Sequence, residues 1–137
     1  MSITILLIIA TSVISYFSFN NNSLKENLIF SPYQHINNKK WWLVLTHGFI
    51  HADYLHLFFN MYVLYAFGFN VENQFNQLNN VGYLYYLILY LGAMIFATLP
   101  SIIKHHNNPL YKSLGASGAV SAIVFVFIIL APTASMG

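Results

Sequence analysis

The chain has 137 residues, 58% of them hydrophobic and 6% charged, with a mean hydropathy of +0.61. Soluble domains carry about a quarter charged residues, so this deficit and the long apolar runs describe a single membrane-embedded helix bundle, with no polar stretch long enough for a second domain. The net charge of +2 rests on five lysines and no arginine, which excludes a nucleic-acid footprint, and the absence of cysteine excludes disulfides.

Ile3–Phe19 predicts a first span, close to the lower limit of about 17 residues for crossing the hydrocarbon core. No Lys or Arg precedes it, and Ser15-Tyr16-Phe17-Ser18-Phe19 is a poor cleavage site, so it reads as a retained helix and not a signal peptide. Residues 20–53 form a long connection that keeps Leu28, Ile29, Phe30, Trp41, Trp42, Phe49 and Ile50. Trp41 and Trp42 directly after Lys39-Lys40 predict a membrane-associated loop with its aromatic rings at headgroup level. Within it His47 and His51 are four apart, a zinc-like spacing if the segment is helical. No third ligand stands at motif spacing and Gly48 weakens a helix, so hydrogen bonding in a packed loop is preferred and no metal or cofactor is expected.

A second helix is predicted over 54–69, with Asp53 as its N-cap. His56 and Asn60 lie four apart in its apolar run, which stacks them on one face. Polar groups in hydrocarbon need partners or water, and they mark a functional site by default. Two neutral donors can hold a developing oxyanion, or they can simply bond to neighbouring helices. Glu72 follows at the far end of this helix, within a polar connection over 70–80. A third span is expected over 82–99, closed by Pro100. The connection 101–113 holds Lys104, His105, His106, Pro109 and Lys112, with the adjacent histidines read as exposed.

The last helix is predicted over 114–131, ending before Pro132. From Ser117 to Ala131 it measures about 22 Å at 1.5 Å per residue, against a hydrocarbon core of about 30 Å. Its start is therefore expected below the membrane surface, which requires protein packing or a water-filled cavity there. Gly115, Gly118 and Ala122 give a small-residue face for close helix approach. Ser117, in Gly115-Ala116-Ser117-Gly118, falls in the first turn, where free N–H groups and the helix dipole favour an anion. A hydroxyl nucleophile there would develop its oxyanion beside ready donors. The motif is not the G-x-S-x-G elbow, because residue 119 is Ala and no strand precedes it.

With His56-x3-Asn60 on one membrane helix and Gly115-Ala116-Ser117-Gly118 opening another, residues 41–131 resemble the rhomboid family of intramembrane serine proteases. Phe49-Ile50-His51, His56-Leu57-Phe58-Phe59-Asn60-Met61, Phe67-Gly68 and Val71-Glu72 belong to the same resemblance. It implies an all-α polytopic membrane bundle of six transmembrane helices, of which this chain would carry four and be truncated at its C-terminus. It further implies Ser117 as nucleophile, with His56, Asn60 and the Ser117 N–H as oxyanion hole. His51 would be a structural loop residue, Glu72 part of the network bracing the loop, and Gly115 and Gly118 structural supports. Transmembrane protein substrates, no cofactor and a multi-pass place in the bacterial cytoplasmic membrane are implied with it.

Two departures stand out. Leu43 occupies the position where the family usually has Arg, and the family's general base, a histidine on the sixth helix, falls outside these residues. None of the six histidines replaces it, and the ending at Ala134-Ser135-Met136-Gly137 reads as a truncation. With the last two helices missing, the small face at Gly118 and Ala122 is expected to lack a partner. Two other readings compete: an inactive relative that binds transmembrane segments, and a small membrane metal-binding protein using His47, His51, His105 and His106. Topology sets principle against resemblance. All five lysines fall after the first and third spans, which the positive-inside rule makes cytoplasmic, whereas the family places that side outside. The family orientation is adopted.

Overall fold

In the computed structural model, which describes residues 2–130, the chain is helical almost throughout, with one isolated β-bridge between Phe30 and Ser113. The expected all-α fold is therefore the observed one. The predicted end of the last helix at Ala131 before Pro132, and the Ala134-Ser135-Met136-Gly137 ending, lie outside the described residues.

Helix α1 (Ile3–Phe19) buries Thr4, Leu7, Thr11, Ser15 and Ser18, a stripe at three- and four-residue spacing along one face. Leu6, Ile9, Val13 and Phe17 point outward. Small polar residues inside and large apolar ones outside is the pattern of a helix whose solvent is lipid. The Ser2 side chain caps it by accepting from the Ile5 N–H at 3.3 Å.

The connection predicted as a loop over 20–53 is folded. It contains α2 (Asn22–Leu28), α3 (Pro32–Asn37), α4 (Leu43–Thr46) and a 3-10 turn at His47–Phe49. Asn21 and Ser31 cap the first two with their side chains, and Pro32 sits in a first turn that asks no N–H of it. The segment is tied to residues 106–113. Phe30 and Ser113 exchange backbone bonds at 2.9 Å, Asn37 Nδ2 donates to the His106 carbonyl at 3.0 Å, and Lys112 pairs with Glu26 at 2.7 Å. Leu43, where an Arg was expected by resemblance, is buried.

Helix α5 (Tyr54–Leu78) runs 25 residues, nine past the end expected at 69, since 78 − 69 = 9. The Asp53 carboxylate caps it, accepting from the His56 N–H at 2.8 Å. The polar stretch that reads as a connection continues the helix because Val71 and Glu72 are buried on it. Helix α6 (Gly82–Phe96) is correspondingly shorter than the span expected over 82–99, and Pro100 does not close it. Pro100 instead stands in the first turn of α7 (Leu99–His105), where its missing N–H costs nothing. Through the turn at Ala97-Thr98, Gly82–His105 is a 24-residue apolar stretch long enough to cross a membrane, and Ile3–Phe19 and Ser117–Leu130 are shorter apolar helices. His105 and His106 are half-buried, not exposed: the His105 ring stacks on Tyr111 at 3.8 Å, and His106 Nδ1 bonds the Ile102 carbonyl at 3.0 Å.

Helix α8 (Ser117–Leu130) starts three residues later than the predicted 114, since 117 − 114 = 3, because Gly115 at φ +111° is far from helical backbone. Only glycine adopts that conformation readily. Helix α5 is the centre of the bundle and packs on α1, α6 and α8, around Leu64, Tyr86, Tyr90, Met94 and Ile123. The small face of α8 has a partner after all. A Cβ on Gly118 would lie 2.7 Å from Ala97 Cβ, so α8 and the end of α6 meet there without a gap.

Candidate active site

Three segments converge at one end of α5. Asn60 points inward from α5, and the loop preceding α5 brings His51 to it, Asn60 Nδ2 lying 2.9 Å from His51 Nε2. The turn before α8 closes the third side. Its Ala116 N–H donates to His51 Nε2 at 3.3 Å, and its Gly115 N–H donates to the His47 carbonyl at 2.8 Å. A Cβ at Gly115 would stand 3.6 Å from His56 Cε1, 3.8 Å from His51 Cδ2 and 4.0 Å from Asn60 Nδ2. Gly115 is thus the floor on which His51, His56 and Asn60 meet.

His56 and Asn60 share a face of α5 but not an environment. Asn60 is buried, while His56 is exposed and stands edge-on to the His51 ring at 5.5 Å between centroids. Ser117 is exposed too, as the first residue of α8. The first intrahelical bond of α8 runs from the Val120 N–H to the Ala116 carbonyl at 2.9 Å, so Ala116 occupies the cap position. Alanine has no side-chain acceptor, so the N–H groups that follow it keep the positive end of the dipole available to a ligand. The site is therefore a half-open cleft: a buried wall of His51, Asn60 and Gly115, and an open lip of His56 and Ser117.

His51 is the most perturbed group. It has no exposed surface, and burial first, then the neighbouring His56, bring its pKa down to about 4 against the pull of Asp53. His47 is lowered by burial as well, and its ring bonds the Met94 carbonyl at 3.4 Å. These two imidazoles face different partners, and among the described residues no three His, Cys, Asp or Glu side chains gather as metal ligands.

Two predicted support residues stand elsewhere. Gly118 packs on Ala97, as above. Glu72 does not brace the loop: it holds the start of α1, accepting from Ser2 Oγ at 2.7 Å, the Ile3 N–H at 2.7 Å, and the Thr4 N–H and Oγ1 at 3.1 and 2.8 Å. It is twelve residues from Asn60, about 18 Å along α5 at 1.5 Å per residue. Four N-terminal donors have no partner within their own helix, and a carboxylate is the strongest acceptor available to them.

Sequence reasoning missed Ser15, whose Oγ lies 3.1 Å from His51 Nδ1 and donates to the Phe49 carbonyl at 2.9 Å. A signal existed. Thr4, Thr11, Ser15 and Ser18 are spaced to share one face of an otherwise apolar helix, and such a seam in a membrane helix must face protein.

Comparison with known proteins gives one consistent result. Residues 38–136 match the Rhomboid domain family. YdcA of Bacillus subtilis (strain 168), a protein named as a rhomboid protease, is 28% identical over 98 residues, covering 69% of this chain and 45% of that protein. Rhomboid-like protease 1 of Toxoplasma gondii is 30% identical over 87 residues, 64% of this chain and 27% of that one. The matched stretch thus spans less than half the length of either relative. No solved structure matches the chain.

Proposed function

Because the chain belongs to the rhomboid family, we propose that it is the nucleophile-bearing part of an intramembrane serine endopeptidase. Ser117 Oγ attacks a peptide carbonyl of a transmembrane protein substrate entering from the bilayer. The oxyanion then forms against the Ser117 N–H, the Asn60 amide and His56. What supports this most is the convergence on Gly115: a φ of +111°, which glycine adopts readily and other residues do not, turns the chain so that Ser117 follows directly after a contact with His56, His51 and Asn60.

The general base comes from a histidine outside residues 2–130. Among those residues His51 bonds the nucleophile's turn directly, but its Nε2 lone pair is already shared by Asn60 and Ala116 and has no room for a serine proton. The protein sits in the bacterial cytoplasmic membrane as a multi-pass bundle, with lipid against the outward face of α1.

The test is made on the full-length protein in liposomes. A fluorophosphonate probe should label it and fail to label Ser117→Ala. His56→Ala and Asn60→Ala should each lower kcat by about 10²–10³, the cost of one oxyanion donor, with KM little changed. Turnover near wild type in both variants would remove the oxyanion role, and labelling that survives Ser117→Ala would remove the nucleophile.

A further inference from the structure

The hydrogens around His51 can be assigned from its partners. Ser15 Oγ has one hydrogen and donates it to the Phe49 carbonyl at 2.9 Å. Its 3.1 Å contact with His51 Nδ1 must then use the imidazole hydrogen, with Ser15 accepting. The opposite nitrogen gives the same answer independently. Ala116 N–H can only donate, so Nε2 must be the acceptor. His51 is therefore neutral with its hydrogen on Nδ1, and Asn60 must turn Nδ2, not Oδ1, toward Nε2. One hydrogen of that amide is committed to His51 and the second is left for a ligand.

We propose that Ser15 on α1 is a positioning residue for this site: acting with the Ala116 N–H on the opposite nitrogen, it holds the His51 tautomer, and through it the direction of the Asn60 amide and the seat of the turn that carries Ser117. This inference rests on the protease reading only for its kinetic consequence. The opposite tautomer would set an N–H against the Ala116 N–H. It would also require Asn60 to offer Oδ1, which moves the amide nitrogen to the place Oδ1 now holds. Both donors of the site would shift together. Among the described residues, Ser15 is the α1 side chain hydrogen-bonded to His51, so α1 reaches the chemistry through that hydroxyl.

The experiment is again on the full-length protein in liposomes. Solid-state NMR of 15N-labelled histidine reads the tautomer, and the His51 signal is assigned by its loss in His51→Gln. The wild type should show Nδ1–H, and Ser15→Ala should produce a mixture with a clear Nε2–H signal, since only the Ala116 N–H then opposes that tautomer. Ser15→Thr, which keeps the hydroxyl, should hold the wild-type tautomer. In kinetics Ser15→Ala should lower kcat by about tenfold to a hundredfold, less than loss of a donor itself, at nearly constant KM. In an Asn60→Ala background the same substitution should cost less than about threefold, since residues acting through one another are not additive. A His51 tautomer unchanged by Ser15→Ala, or a full additive loss beside Asn60→Ala, would overturn the proposal. Absence of any Ser117-dependent hydrolysis would instead defeat the protease reading, and the tautomer spectra would still decide the role of Ser15.

Discussion

His51 binds its proton less tightly in the folded protein than in the unfolded chain, because burial and His56 both oppose a second charge there. The groups facing it are Ser15 from α1, Asn60 and His56 from α5, Asp53 at the α5 cap, and the Ala116 N–H ahead of α8. With an ordinary value of 6.5 and a folded value of about 4, stability is complete above about pH 6.5. It falls as pH drops through that window and levels off below about 4, a loss of at most about 3 kcal/mol. His47, also lowered by burial, adds in the same direction. Unfolding midpoints in detergent should therefore decline from pH 7 to pH 4, and His51→Gln should flatten part of that slope. A midpoint that holds steady or rises on acidification would contradict the neutral, doubly bonded His51. Protonation also removes the lone pair that Asn60 and Ala116 share, so acid should loosen the cleft before it unfolds the bundle.

At the scale of elements, the pairing of α1 with α5 depends on Glu72. Its carboxylate takes four hydrogen bonds from residues 2–4, and Thr4 Oγ1 continues to Tyr86 OH at 2.9 Å, which joins α6 to the same knot. Gly68 lets the three helices approach, since a Cβ there would lie 2.8 Å from both Thr4 Cγ2 and Tyr86 OH. Glu72→Ala should cost at least about 2 kcal/mol, because buried donors are left without their charged acceptor. Detergent unfolding checks this, and a change under about 0.5 kcal/mol would mean that water serves those donors equally well. Glu72 also shows what was legible in sequence and what was not. The apolar runs of α1, α6 and α8 are visible to hydropathy, whereas the last turns of α5, rich in Asn and Gln, are held by tertiary contacts: Val71 is buried in the core, Glu72 bonds the start of α1, and Phe75 packs on Tyr86. Short helices inside 20–53 carried readable caps at Asn21, Ser31 and Pro32, but the surrounding tryptophans and lysines suggested a surface loop. In the site, the His56 and Asn60 spacing is local and therefore readable. The Ser15–His51 contact joins residues 36 apart, and no periodicity encodes it.

For the whole molecule, the tie between the α2–α3 segment and residues 106–113 puts both lysine-bearing connections at one end of the bundle. Lys25, Lys39, Lys40, Lys104 and Lys112 are thus gathered on one side, where positive charge ordinarily marks the cytoplasm. Membership of the family argues for the opposite orientation, with this side facing out. Asn38 and Asn107 are both exposed there, so Asn38→Cys and Asn107→Cys report it directly. Both should react with an impermeant maleimide in intact spheroplasts. Reaction only after permeabilisation would reverse the orientation and place the lip of the cleft inside the cell.

The carboxylate that holds the start of α1 lies some 70 positions downstream of it. During synthesis at about 5–20 residues per second, that separation is roughly 4–14 s of elongation. Over most of this interval α1 has been made but its N-terminal acceptor has not, and the donors at residues 2–4 must find water or lipid headgroups instead. Helix α1 is therefore secured only once most of α5 has been made, and ribosomal pausing before codon 72 prolongs the time in which it can be lost.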